Sequence, residues 1–282
     1  MRLASYKTPE GPTVGVKTPQ GFVDITEIDP ALPRDMRALL SLGLPSDLQE
    51  RATAMVAQAR QVEPEDLLPV VTNPGKILCM GLNYSDHARE SGMEIPTYPV
   101  VFMRTATSLL APGAPLRFSP LSEALDFEAE LAVVIGREGT EISEEEALGY
   151  VAGYAVFNDL TYRDYQFRSP QWTMGKNFDD TGPLGPELVT PDEVPEGATG
   201  LSVRLTINGD VYQDGNTSEM IFPIAKTISE LSAVMTLQPG DVIVTGTPAG
   251  VGMGREPAVY LKRGDVCEVE IEGIGTLRTP IV

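Results

Sequence analysis

Cysteine and histidine are nearly absent: two cysteines, Cys79 and Cys267, and one histidine, His87, occur in 282 residues. Both cysteines sit in apolar runs, which reads as reduced core thiols and not as a disulfide framework. One imidazole leaves no Cys/His spacing for a zinc site. No apolar stretch approaches the roughly 20 residues that a membrane-spanning helix needs. The N-terminus, Met1-Arg-Leu-Ala-Ser-Tyr-Lys7, lacks the apolar core of a secretory signal, so a cytoplasmic location is expected. Positive charge is also scarce, with 21 Lys and Arg against 40 Asp and Glu and a net charge of −19. Such a surface repels phosphate backbones and anionic lipids, so neither nucleic acid nor a membrane is expected as partner. An anionic substrate would need local cations to overcome that field. Aromatics make up 6% of the chain, while Gly (27) and Pro (24) abound, a mix that favours short strands and many turns over a helical bundle.

The pattern along the chain predicts a β-rich α+β protein and not a regular βαβ alternation. Residues 1–70 read as a small N-terminal α+β domain, with short strands at 2–7, 12–17 and 21–25 and helices at 34–42 and 46–61. Residues 71–282 read as a second, larger domain. Strands are expected at 76–80, 131–135 and 151–157, helices at 141–150 and 160–167, and a short polar helix or lid at 83–89. The last third is strand after strand, at 201–207, 242–245, 266–271 and 276–281, with Asn208-Gly209 as a hairpin turn.

Three carboxylates carry the chemical reading. Asp126-Phe-Glu128-Ala-Glu130 sets Glu128 and Glu130 two apart on a strand, hence on one face, and Asp159 follows in Ala-Val-Phe-Asn-Asp159. Adjacent acids repel unless a positive group lies between them. Carboxylates without imidazole or thiolate select Mg²⁺, Mn²⁺ or Ca²⁺. The alternative is a solvated strand face, with Asp159 capping the next helix.

Further residues fit such a site. Asp159, Arg163 and Gln166 fall on one face of the predicted 160–167 helix, and an Arg there suits a carboxylate, although an i,i+4 Asp–Arg pair also occurs as plain surface structure. His87 and Glu90 are three apart, a pairing that makes a general base, or an incidental ion pair at a helix start. Lys176, one of only six lysines, lies in a Gly/Pro-rich loop where it can stabilise an enolate or carboxylate, or simply be solvated. The glycine-rich run Thr245-Gly-Thr247-Pro-Ala-Gly250-Val-Gly252 does not have nucleotide-loop spacing and is followed by turn and strand signals. It reads as backbone approaching a small ligand.

Together these segments resemble the fumarylacetoacetate hydrolase family. The resemblance runs from Lys76 to the C-terminus through Gly-Leu-Asn-Tyr-Ser-Asp-His87-Ala-Arg-Glu90, Asp-Phe-Glu128-Ala-Glu130, Asn-Asp159-Leu-Thr-Tyr-Arg163-Asp-Tyr-Gln166, Gly-Lys176-Asn-Phe and Gly-Asp241-Val-Ile-Val-Thr-Gly-Thr247-Pro. It implies a mixed β-sandwich roll, a homodimer and a Mg²⁺ or Mn²⁺ site held by Glu128, Glu130 and Asp159. It makes His87 and Glu90 a catalytic dyad on a lid and Lys176 the active-site lysine. Arg163, Gln166 and Thr247 become the groups that hold substrate oxygens. Where many members have Phe-x-Lys-Pro, this chain has Phe102-Met-Arg104-Thr105, so substrate identity does not carry over. The expected reaction is hydrolysis of a C–C bond in a 2,4-dioxo acid such as an acylpyruvate. The alternatives are oxaloacetate decarboxylation or keto–enol isomerisation of a 2-oxo acid at the same site. A structural Ca²⁺ site without catalysis leaves His87, Lys176 and Arg163 with no shared task.

Overall fold

Short β-branched and apolar runs divided by glycine turns dominate the first element group. In the computed structural model, which describes residues 1–90 and 92–282, the chain opens with an antiparallel meander of β1 (Arg2–Thr8), β2 (Gly11–Thr18) and β3 (Gly21–Asp24). Three short helices follow, α1 (Ile25–Ile28), α2 (Met36–Leu42) and α3 (Leu48–Ala54). Asp24 and Asp35 start the first two, their side chains accepting from the amides of Thr26 (2.8 Å) and Ala38 (2.9 Å). Next come β4 (Ile77–Gly81), α4 (Ser85–Glu90), β5 (Val100–Arg104), β6 (Leu109–Leu110), β7 (Leu125–Asp126), β8 (Ala129–Ile135) and β9 (Val151–Asn158). After them lie β10 (Thr161–Tyr162), α5 (Arg163–Gln166), α6 (Thr173–Lys176) and β11 (Gly182–Val189). The chain ends with β12 (Ser202–Ile207), β13 (Asp210–Asn216), α7 (Ile224–Ser232), β14 (Val242–Val244), β15 (Val266–Ile271) and β16 (Gly275–Pro280).

Ten strands make one mixed sheet along the path β3-β2-β1-β11-β9-β8-β14-β4-β5, with β6 beside β11. The β4–β14 and β6–β11 pairs are parallel. A four-stranded antiparallel sheet runs β13-β12-β15-β16. The central strand β8 is buried along its whole length, and its period of two feeds two cores. Leu131, Val133 and Ile135 pack with Val203, Leu205, Val269 and Ile271 of the smaller sheet. Ala132 and Val134 pack with Leu3, Val14 and Val16 of the N-terminal meander, which joins the large sheet through the β1–β11 pair. The β-rich α+β fold expected from the sequence is the fold that forms.

Local expectations fail in three places. The helix expected over 46–61 stops at Ala54, because Arg60 is drawn into an extended bridge with Phe22. The stretch 141–150 forms turns and one 3₁₀ turn, Ala147–Tyr150, after Glu141 adopts φ 50°, a left-handed conformation that a helix start cannot use. The helix expected over 160–167 is a single turn, Arg163–Gln166. Thr161 and Tyr162, β-branched and aromatic, instead pair with Asp126 and Leu125 as strand. Asn208 and Gly209, at φ 53° and 90°, make the expected hairpin turn.

Phe157 on β9 is fully buried opposite Glu130, with the Arg104 guanidinium 5.6 Å from its ring centroid. Phe157→Ala is expected to lower stability by about 3–5 kcal/mol in urea unfolding; a loss below about 1 kcal/mol contradicts this packing.

Candidate active site

The period of β8 extends backwards through its entry segment. Asp126, Glu128 and Glu130 share one parity and are all buried, as is Asp159 just past the end of β9. Backbone bonds fix the crossing: the Asp159 amide donates to the Glu128 carbonyl at 2.9 Å, and the Glu128 amide donates to Asn158 Oδ1 at 3.1 Å. One oxygen each from Glu128, Glu130 and Asp159 falls within a 4.8 Å span. Asp159 therefore joins the two glutamates through strand pairing, and not through a helix face shared with Arg163 and Gln166 as the spacing predicts.

Three buried cations interleave with these acids. Lys176 Nζ, at the end of α6, lies 2.6 Å from both Glu128 Oε2 and Asp159 Oδ2. Arg163 donates through Nε to Asp126 (2.8 Å), through one terminal nitrogen to Glu128 (2.6 Å) and through the other to Gln166 Oε1 (2.9 Å). Arg104, at the end of β5, donates to the remaining Asp159 oxygen, to Thr181 Oγ1 at 2.7 Å and to Ser108 Oγ at 3.2 Å. Glu130 has no such partner; its Oε2 accepts from the Gly246 amide at 2.6 Å.

The acid–base properties follow. Burial alone would raise the pKa of Glu128, but Lys176 and Arg163 reverse this and hold it far below the usual glutamate range. Burial, then the charges of Asp159 and Glu128, push Glu130 well above that range. Burial disfavours the Lys176 ammonium, yet Asp159 and Glu128 outweigh it and hold its pKa above the ordinary lysine value.

The lid helix α4 closes one side. His87 is buried, with Nδ1 3.6 Å from Glu90 Oε2, too long for a hydrogen bond but close enough for charge to be felt. Glu90 accepts from the Gly250 amide at 2.9 Å. Burial raises its pKa, but the neighbouring His87 and the Gly250 bond leave it below the usual value. Gly254 makes this seat possible, since a Cβ there would stand 2.4 Å from Glu90 Cγ. Asp86 accepts from the Ala249 amide at 3.3 Å, so the lid meets the glycine-rich segment twice.

Of the nine residues singled out by sequence, Glu128, Glu130, His87, Arg163, Gln166, Lys176 and Thr247 line one narrow cleft, with an interior of about 30 Å³. Asp159 lies behind Lys176, and Glu90 behind His87. Thr247 Oγ1 accepts from Gln213 Nε2 at 2.7 Å, which fixes its position. The donor set of carboxylate oxygens, with more acid than base around it, fits a hard divalent cation such as Mg²⁺ or Mn²⁺. Sequence reading missed Asp126, Arg104 and Trp172. The parity of 126, 128 and 130 signals the first, and the departure from Phe-x-Lys-Pro the second. Arg104 is not on the cleft wall; it stands behind Asp159 and orients it. Trp172 reaches the cleft from a loop without periodicity, packed so closely on Gly81 that a Cβ there would lie 2.5 Å from its ring.

Replacing Arg104 by Met removes the group that orients Asp159. Mn²⁺ affinity is expected to fall about 10–100-fold by calorimetric titration, and unchanged affinity contradicts the positioning role. Glu130→Gln keeps the acceptor for Gly246 but removes a carboxyl whose ionisation burial, Asp159 and Glu128 oppose. It is expected to raise the melting temperature of metal-free protein and to abolish the further rise on adding Mn²⁺. A rise that persists with Mn²⁺ excludes Glu130 as a ligand.

Comparison with known proteins agrees with this geometry. The fumarylacetoacetate (FAA) hydrolase C-terminal profile matches residues 76–282. A mitochondrial oxaloacetate tautomerase of Xenopus laevis is 40% identical, covering 100% of this chain and 90% of that protein. The fumarylacetoacetate hydrolase of Exiguobacterium antarcticum superposes with a TM-score of 0.88 at 33% identity, covering 100% of this chain and 99% of that one. A fumarylpyruvate hydrolase of Pseudomonas aeruginosa, solved with Mn²⁺ and pyruvate, superposes with a TM-score of 0.68 at 33% identity over 74% of this chain and 90% of that one. Matched in sequence along its whole length and in the fold that carries its carboxylate cluster, the chain belongs to the fumarylacetoacetate hydrolase family.

Proposed function

We propose that this protein is a divalent-metal-dependent enzyme that interconverts the keto and enol forms of a 2-oxo acid. The observation that carries this is the opening of a buried carboxylate cluster, the Lys176 ammonium and the His87 imidazole onto one cleft. Glu128, Glu130 and Asp159 would hold Mg²⁺ or Mn²⁺, which when bound supplies a Lewis acid for the enolate oxygen. Arg163, fixed by Asp126, Glu128 and Gln166, presents its guanidinium edge to a substrate carboxylate. Lys176 keeps its positive charge beside the place where enolate charge develops. His87, steadied by Glu90, moves the proton that leaves C3 and reappears on the C2 oxygen. No C–C bond breaks in this step, and the full-length similarity to an oxaloacetate tautomerase supports it.

Hydrolysis of a 2,4-dioxo acid is the second reading. The imidazole beside a carboxylate is also an arrangement that takes a proton from water, and the resulting hydroxide would attack the remote carbonyl. The likeness to a fumarylpyruvate hydrolase that holds Mn²⁺ and pyruvate supports this reading. Decarboxylation of oxaloacetate needs only the enolate-stabilising half of the same site.

Chelator-stripped protein, reloaded with Mg²⁺ or Mn²⁺, is expected to accelerate the decay of enol-oxaloacetate absorbance. His87→Ala is expected to lower kcat by about 10²–10⁴-fold while leaving metal affinity unchanged. Release of acetate and pyruvate from acetylpyruvate selects hydrolysis, and release of carbon dioxide from oxaloacetate selects decarboxylation. Turnover that survives complete removal of metal eliminates the proposal.

A further inference from the structure

The cleft has a second character that the polar site does not use. Besides the charged and polar groups it is lined by the apolar side chains of Met80, Leu82, Met93, Phe102, Phe167, Trp172 and Met253. Met93 and Phe167 are 37% and 50% exposed and form the rim. Phe102 and Trp172 meet edge to face at 5.5 Å, and the Phe102 ring lies 5.0 Å from Lys176 Nζ, so the apolar lining begins where the charged cluster ends. The two cations that line the cleft are both already engaged. Lys176 bridges Glu128 and Asp159, and Arg163 bridges Asp126 and Glu128. Among the described lining residues no further Lys or Arg occurs.

We propose that the cleft selects a monoanionic 2-oxo acid with an apolar remote substituent, in preference to a dicarboxylate such as oxaloacetate. The inference rests on the reading of a metal-held 2-oxo acid headgroup. One substrate carboxylate meets the metal site and Arg163. A second would face thioethers and aromatic rings without a free cation, losing its hydration uncompensated. An alkyl or aryl tail in the same place buries apolar area instead. Three methionines among the seven apolar lining side chains let the wall adapt to tails of different shape. Phe167 and Met93 at the rim become specificity-determining residues.

Trp172 is the only tryptophan in the chain, so its emission reports occupancy without any turnover. The test titrates Mg²⁺-loaded full-length protein with pyruvate, its straight-chain 2-oxo homologues, oxaloacetate and 4-methyl-2-oxopentanoate. The last two share a shape and differ in a carboxylate against an isopropyl group. Each added methylene is expected to tighten binding about fourfold until the rim is reached. 4-Methyl-2-oxopentanoate is expected to bind at least about tenfold more tightly than oxaloacetate. Phe167→Arg and Met93→Arg, both at exposed rim positions, are expected to narrow or reverse that ratio. Tight binding of pyruvate with no dependence on chain length, or oxaloacetate binding as tightly as its isostere, overturns the inference alone. Absence of binding for every compound, pyruvate included, overturns the metal-held headgroup and this inference with it.

Discussion

Burial of four carboxylates in one place is the constraint on which this structure turns. Asp126, Glu128, Glu130 and Asp159 are almost wholly removed from solvent, and a buried charge left unpaired costs several kcal/mol. Arg104, Arg163 and Lys176 answer them from three different elements, β5, α5 and α6. Each cation touches at least one acid in bonding distance, and Lys176 and Arg163 touch two. Short helices with little packing of their own are thereby tied to the sheet. The single turn of α5 has four residues, two of which, Arg163 and Gln166, are buried by the bonds they make to the cluster and to each other. Removing one partner leaves a buried charge and costs about 3–5 kcal/mol in such settings, so the site and the fold around it stand together.

The glycine-rich segment after β14 is the second organising device. It binds carboxylates, as a phosphate loop binds phosphates, but through amides aimed at the protein's own side chains. Gly246 donates to Glu130, Ala249 to Asp86, Gly250 to Glu90, and Gly252 and Met253 to Asp126. One backbone thus contacts the buried carboxylate cluster, the anchor of Arg163 and the helix that carries His87. Gly246 at φ 95° and Gly250 at φ 105° hold conformations that L side chains rarely adopt, which explains why the segment is built from glycine. The bonds from Ala249 and Gly250 to Asp86 and Glu90 join α4 to this segment separately from the bonds that hold Glu130 and Asp126.

Much of this was legible from residues alone. The period of two identifies Glu128 and Glu130, the segment order identifies the family, and the meander at the N-terminus falls where its turns predict. Several failures share one cause, which is long-range contact. Asp159 reaches the glutamates because β8 and β9 pair, information that no window around residue 159 contains. Thr161 and Tyr162 become strand because residues 125–126 lie beside them. Arg104 reads as a substrate-wall substitution, yet its guanidinium points behind the ligands to Asp159. β5, β11 and β13 go unrecognised, since edge strands and glycine-interrupted runs carry weak periodicity; α7 goes unrecognised although it does carry a helical apolar face, Ile224, Ile228 and Leu231.

Charge balance then links the cluster to what the cleft accepts. Four carboxylates against three cations leave one acid, Glu130, without a basic partner, and its raised pKa marks it as the one whose ionisation the cluster opposes. If Glu128, Glu130 and Asp159 hold a divalent cation, it would favour the ionised form of Glu130 and leave the cluster with a single positive excess. Under that reading a monoanionic substrate would bring the whole assembly to neutrality inside walls of methionine and aromatic carbon, whereas a dianion would restore a net negative charge in the same low-dielectric space, where charge is least tolerated. An acidic protein surface and a positively charged loaded site would thus be compatible: one repels polyanions at a distance, and the other would draw a single carboxylate at contact.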